Sequence, residues 1–227
     1  MAARLLSLHV GQPAPLRYRR TTVSTAFGKQ PVSGGRRLSL TGLEGDAQAD
    51  LSVHGGPDKA VCVYPAEHYP VWTERLGRLL DMPSFGENFT TEGLREDEVC
   101  IGDVYRVGEA LVEVSQPRQP CFKLATWNGE PRLARWVQQS GRTGFYFRCL
   151  AEGRVEAGAA IALVERPFPW ATIAEANRLM HRDKQDRAAL ERLLALPALS
   201  ESWRQTFQRR LAGVIDSAAA RREGPPS

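Results

Sequence analysis

The chain has 227 residues, 42% of them apolar and 25% charged, with a net charge of +4. That is enough chain for a packed core in one large domain or in one domain with an appendage, and no apolar run approaches the roughly 18 residues that mark a membrane span. The mild, scattered positive charge favours anionic ligands but not a nucleic-acid groove, and residues 170–227, with 10 Lys/Arg against 7 Asp/Glu, carry only the excess of ordinary solvated helices.

The start, Met1 to Gly11, has too short an apolar core for a signal peptide and reads as a first strand. Cys62, Cys100, Cys121 and Cys149 include no CxxC pair, so reduced thiols and a cytoplasmic protein are expected. From Arg4 to about Val164, short β-branched and aromatic runs alternate with Gly, Pro, Asn and Asp, the pattern of a barrel or sandwich. Strands are predicted at Leu5–Val10, Thr21–Phe27, Arg36–Leu40, Ala60–Tyr64, Asp103–Val107, Ala110–Val114, Gly144–Leu150 and Ala159–Glu165, with Gly108-Glu109 as a tight hairpin. Two helical inserts interrupt them. One runs from about Ala66 to Leu79; the other begins after Cys121 and includes Arg132–Gln139, and both are expected to cap the barrel ends.

After Arg166-Pro167-Phe168-Pro169 the apolar residues take helical spacing. Helices are predicted near Thr172–His181, Asp186–Leu196 and Glu201–Val214, with Thr172 and Ser200 as N-caps and Pro197 ending the second. Three short helices bury little alone, so they must pack together or on the barrel. The expected division is a mainly β barrel over 1–166, a three-helix domain over 167–220 and a frayed tail over 221–227.

Three stretches could carry chemistry. In Ser115-Gln116-Pro117-Arg118-Gln119-Pro120-Cys121-Phe122-Lys123 a Pro-stiffened polar run presents a thiol between two cations. That setting suits a thiolate that attacks electrophiles or binds a soft metal, although a buried structural cysteine fits equally well. The other three cysteines lie in strand-like apolar runs and read as small buried hydrophobes. Residues 41–60 gather four-fold glycine flexibility around Asp46, Asp50, His54 and Lys59, and a loop of this length within a compact domain points to function. His54 reads as a ligand, a general acid or a hydrogen-bonded turn histidine; there is no HExxH or similar cluster, so any metal would use one cysteine and outside ligands. Ser84-Phe85-Gly86-Glu87-Asn88 is either an ordinary turn or an anion-holding one. Thr25, Arg36 and Arg37 are further candidate anion contacts, or simply solvated surface.

Taken in order, LxGLEGDxQAD (40–50), VHGGPDKAV (53–61), FGEN (85–88), IGD (101–103) and QPRQPCxK (116–123) resemble the MOSC domain family, named for the C-terminal region of molybdenum cofactor sulfurases. Within it the chain is most similar to the YiiM-like branch linked to hydroxylaminopurine resistance. The likeness is nearly collinear from about Leu5 to Leu163, and the segment after it resembles that branch's small three-helix domain.

The resemblance implies a β-barrel that binds the molybdenum cofactor, a molybdopterin whose dithiolene holds molybdenum, with Cys121 as the metal's protein ligand. It implies roles near cofactor or substrate for Lys59 and His54, and pterin or phosphate contacts at Asn88 and the Gly86 backbone. Arg118 and Lys123 would offset the cofactor's charge or orient the loop; Asp46 and Asp50 would touch the cofactor or hold the glycine-rich loop in shape. It implies a reductase that removes oxygen from N-hydroxylated substrates such as hydroxylaminopurine-type bases, with His54 as candidate proton donor because imidazole titrates near neutrality. The sequence has no flavin, haem or iron–sulfur motif, so a separate flavoprotein is the expected electron donor, and family analogy suggests a homodimer. The alternative is a cofactor carrier or sulfur-transfer module that works through Cys121 without turnover of its own.

Overall fold

Side chains alternate across a strand, so each strand in this chain has to satisfy two faces at once. The computed structural model describes residues 2–50, 55–214 and 219–224. Its strands are β1 (Ala3–Val10), β2 (Ala14–Tyr18), β3 (Thr21–Thr25), β4 (Gln30–Pro31), β5 (Arg36–Ser39), β6 (Gly42–Leu43), β7 (Val61–Pro65), β8 (Phe89–Glu92), β9 (Val104–Val107), β10 (Ala110–Pro117), β11 (Phe145–Ala151), β12 (Gly153–Val155) and β13 (Ala160–Glu165). Seven of them close a barrel in the order β13-β9-β10-β11-β7-β8-β1, with Ala3 opposite Ile161 joining β1 back to β13. Closure removes the open edges at which a sheet of this length would aggregate. β7 and β8 are parallel; β4 adds to β1, and β12-β5-β6 and β2-β3 form small side sheets.

The barrel interior takes Val61 and Val63 from β7, Val112 and Val114 from β10, and Phe145 and Phe147 from β11. Their neighbours Cys62, Tyr64, Tyr146 and Arg148 therefore fall on the outer wall. The outer wall is covered at β7 by α1 (Tyr69–Leu76), α2 (Phe122–Trp127) and α3 (Leu133–Ser140), which build a second core of Tyr64, Tyr69, Trp72, Phe85, Leu124, Leu133 and Val137. In it the rings of Tyr64 and Phe85 stack at 4.0 Å. The inserts thus lie against the wall at this core, a correction to the expected end caps, because the Tyr64 side of β7 is as apolar as its inner side. α1 is also shorter than its apolar spacing suggests. Gly77 ends it at φ +66°, and Leu79 beyond it is exposed.

The three C-terminal helices, α4 (Ile173–His181), α5 (Arg187–Leu194) and α6 (Glu201–Leu211), follow the prediction closely. Ile173, Leu179, Leu193, Trp203 and Phe207 are buried in one continuous cluster with the barrel interior. Thr172 caps α4 by accepting from the Glu175 N–H at 3.0 Å, whereas Ser200 stands at the start of α6 without a side-chain cap bond. At the junction Arg166 forms an ion pair with Asp103 at 2.7 Å. Ala219–Glu223 form a short α7 where a frayed tail was expected from Arg221; the Tyr18 hydroxyl donates to the Glu223 carbonyl, and Gly224 fits against the rings of Tyr18 and Phe122. Residues 225–227 lie outside the described residues. All four cysteines are unpaired and buried, and no helix among the described residues is long and apolar enough to cross a membrane.

His9 on β1 is fully buried, and neither ring nitrogen has a hydrogen-bond partner among the described residues. Burial, opposed by the nearby Asn88 backbone and helped by the Lys29 charge, pushes its pKa down from 6.5 to about 4. The unfolded chain takes up this proton below 6.5 and the fold resists it, so the contribution is complete above 6.5 and is lost as pH falls toward 4. The expected size is about 3 kcal/mol. Urea unfolding compared at pH 7 and pH 4.5 should show about 2 kcal/mol of this loss, and a His9→Leu variant should show a smaller fall over the same interval.

Candidate functional site

β10 carries the cysteine-bearing run off the barrel. Gln116 and Pro117 still pair with Tyr146 and Phe145 of β11, and the Arg118 N–H donates to the Gly144 carbonyl at 3.0 Å. Cys121 then opens α2 from its N-cap position, in extended backbone at φ −129° and ψ 172°. It is only 7% exposed, and it borders a cleft on the outer wall of the barrel. The cavity volume of this cleft is about 90 Å³. Phe27, Lys29, Lys59, Cys62, Arg118, Lys123 and Tyr146 border it with Cys121.

The cleft is electropositive at its base. Arg118 is 5% exposed, and its Nη1 has no hydrogen-bond partner among the described residues. Burial alone would depress the guanidinium, but Cys62, Tyr146 and Cys121 around it hold it above its ordinary value, so it stays charged. Its carbon lies 5.9 Å from the centre of the Phe27 ring. Burial pushes the Cys62 thiol up to about 11 against the opposing pull of Arg118. The same cause, with Cys62 adding to it, raises the Tyr146 phenol well above its usual range. Both are therefore neutral hydrogen-bonding groups near pH 7. Burial lowers the Lys59 ammonium, helped by Arg221 and opposed by Asp58. Lys123 reaches across the rim to donate to the Ser24 carbonyl at 3.1 Å.

Several residues singled out from sequence turn out to brace the cleft. The Asp46 carboxylate, 1% exposed, accepts from Lys29 Nζ at 2.5 Å, the Gly11 N–H at 2.7 Å and Asn88 Nδ2 at 2.9 Å. Asn88 also donates to the His9 carbonyl at 3.2 Å and accepts from the Cys62 N–H at 3.1 Å. These bonds tie the glycine-rich stretch to β1 and to the lead-in of β8, which is the loop-holding role weighed for Asp46. Gly86 sits at φ +73°, and a Cβ there would come within 2.8 Å of the Phe27 ring, so the turn can close on the cleft only as glycine. Thr25 borders the cleft and accepts from the Phe27 N–H at 3.1 Å. Asp50 is exposed and does not border the cleft. Arg36 and Arg37 are turned to the Ser33 and Gly35 carbonyls and to Glu152 instead. His54 lies outside the described residues.

Sequence reasoning missed Lys29, Cys62 and Tyr146. A signal existed for two of them. In Val61-Cys62-Val63 and Phe145-Tyr146-Phe147 the middle residue must face away from the two core residues flanking it. Lys29 had no such signal, since a single lysine after a turn reads as solvated surface.

A sulfur-ligated metal carried on an anionic organic group needs few protein ligands but several donors for its anionic oxygens. Among the described residues no three His, Cys, Asp or Glu side chains gather to hold a metal. A metal held here would have to take one thiolate from Cys121 and its other ligands from its own organic part, an arrangement suited to a soft centre. The buried Arg118 Nη1, without a hydrogen-bond partner among the described residues, is a charged donor suited to an anionic oxygen, and Lys59 and Lys123 stand on the same cleft. The residues present fit such a group.

The MOSC domain family matches residues 50–162, and the family described as YiiM-like, 3-alpha helix domain matches residues 172–213. The chain is 51% identical over 206 residues to YflK of Bacillus subtilis, covering 91% of this chain and 93% of that one. The crystal structure of YiiM from Geobacillus stearothermophilus superposes with a TM-score of 0.80 at 42% identity, covering 92% of this chain and 99% of that one. A Gibberella moniliformis protein named Reductase is 38% identical over 162 residues, 70% of this chain and 29% of that longer one. With the barrel, the helical unit and the order of motifs all in agreement, the chain belongs to the MOSC domain family in its YiiM-like form, a MOSC barrel followed by a YiiM-like three-helix domain.

Proposed function

We propose that this protein is a molybdenum-cofactor-dependent reductase of N-hydroxylated compounds, including hydroxylaminopurine-type bases, and that Cys121 is the protein ligand to the metal. The observation that carries the proposal is the buried Arg118 guanidinium, its Nη1 without a partner among the described residues, beside the Cys121 thiol in one cleft. The name of the fungal relative supports the reaction class. When bound, the cofactor supplies the two-electron chemistry that turns an N–OH group into an amine and water. Cys121 fixes one coordination position and therefore the orientation of the centre. Arg118, Lys59 and Lys123 hold its anionic groups, and the Phe27 face and the second core exclude water from the base of the cleft. His54 is our candidate proton donor, with Lys59, its ammonium already weakened by burial, as the described group able to hand on a proton. Electrons come from a separate flavoprotein.

A second reading has one observation in its favour: Cys62 borders the same cleft as Cys121. Two thiols there would suit a carrier or sulfur-transfer module. Turnover of an N-hydroxylated base with a chemical electron donor favours the reductase, and a loaded protein that never turns over favours the carrier.

The first test is molybdenum and pterin content per chain after production in cells that make the cofactor. Wild type should approach one per chain and Cys121→Ala should lose the metal; wild type that remains empty under these conditions rejects the proposal. Arg118→Met should lower cofactor content about tenfold, the size of a charge-assisted contact to an anion, while leaving the melting temperature unchanged or higher. A fall in both together would mean that Arg118 serves the fold rather than the ligand.

A further inference from the structure

The three-helix domain reaches into the machinery behind the cleft. At the start of α6 the Ser200 N–H donates to the Ser115 carbonyl at 3.1 Å, the Glu201 N–H to Asp58 Oδ2 at 3.0 Å, and Ser202 Oγ to Gln116 Oε1 at 3.1 Å. Asp58 directly precedes Lys59, and Ser115 and Gln116 lead directly to Arg118.

Asp58 is the hub of these bonds. Its Oδ1 accepts from Arg148 Nε at 3.1 Å and Nη2 at 2.5 Å, and Arg148 is held in turn by Glu113 at 2.7 Å. The Asp58 carbonyl accepts from Ser115 Oγ at 2.5 Å, and that hydroxyl also lies 3.2 Å from the Tyr146 carbonyl. One residue thus joins the 3-10 turn Pro57–Lys59, which carries Lys59, β10, which leads into Arg118, β11, which carries Tyr146, and α6. α6 itself is fixed by burial of Trp203 and Phe207. Its end is therefore a stationary anchor for both cation-bearing segments.

We infer that Asp58 is a positioning residue through which α6 sets the placement of Lys59 and Arg118, so that the three-helix domain is a working part of the ligand cleft. This rests on the reading of those cations as anion-holding groups. Asp58 is committed to Arg148 and to the α6 backbone, so it steadies Lys59 without bordering the cleft. Displacements of about 1 Å in such a group are enough to lose most of its value to a ligand.

The test uses the whole chain and needs no cofactor. Cys121 is alkylated with iodoacetate and with iodoacetamide, and site-resolved mass spectrometry gives the ratio of the two rates. The ratio cancels the reactivity of the thiol and reports the positive field of the cleft. Lys59→Met should lower it about threefold, the effect of one cation screened by partial solvent exposure. Asp58→Asn deletes a negative charge beside Lys59, so the field alone would raise the ratio; lost positioning should lower it about twofold or more. A ratio that rises or stays unchanged in Asp58→Asn overturns the inference while leaving the anion-holding reading intact. A ratio insensitive to Lys59→Met overturns that reading, and the inference with it. Ser115→Ala, which removes the hydroxyl bond to the Asp58 carbonyl without changing charge, should also lower the ratio, and it decides the matter should Asp58→Asn fail to fold.

Discussion

Arg118 is held out of water with no carboxylate in ion-pair contact among the described residues, and the site depends on that. A buried charge without an acid partner costs several kcal/mol, so it persists only where the surrounding structure leaves it no other place. The Arg118 backbone is bonded to Gly144, its side chain lies near the Phe27 ring, and its neighbours include two thiols and a phenol. These are weak compensations. They leave the guanidinium with unused capacity for an anion, which is what a ligand site requires and a stable core would avoid.

The stability that tolerates this comes from elsewhere. The closed ring of strands and the helices packed in continuity with its interior form one core, and α1–α3 form another on the outer wall. The cleft lies beside the second core, so it can be strained without opening the barrel. Two carboxylates flank the glycine-rich stretch and divide the bracing between them. Asp46 pairs with Lys29 and joins that stretch to β1, while Asp58 pairs with Arg148 and joins it to β10, β11 and α6. Each has its own basic partner, and neither is paired with Arg118.

Much of the fold could be read directly from the chain. The eight longest-signalled strands and the three C-terminal helices appear close to their predicted bounds, because their apolar periods are regular and their ends carry Gly, Pro or a capping Thr. The strands β2, β4, β6, β8 and β12 were missed; β4, β6 and β12, at two or three residues, are too short to show a period. In the cleft, Cys121, Arg118, Lys59 and Lys123 were legible as unusual residue types in a polar, Pro-bounded or glycine-rich setting. Asn88 and Gly86 were named as ligand contacts; both border the cleft, where Asn88 is also tied into the brace and Gly86 lies against the Phe27 ring.

Local chemistry and order were thus determined by sequence alone: a barrel of short strands, a helical appendage, a thiol flanked by cations, and the run of motifs that resembles the MOSC family. Those are properties of neighbours along the chain. Which strand face became a cleft wall, and with it the membership of Cys62, Tyr146 and Lys29, was decided only by tertiary structure. The same holds for Asp58, whose partners Arg148 and Glu201 lie 90 and 143 residues away in sequence. A hydrogen-bond partner or a covered wall is a relation between distant segments, and no local pattern records it until packing brings them together.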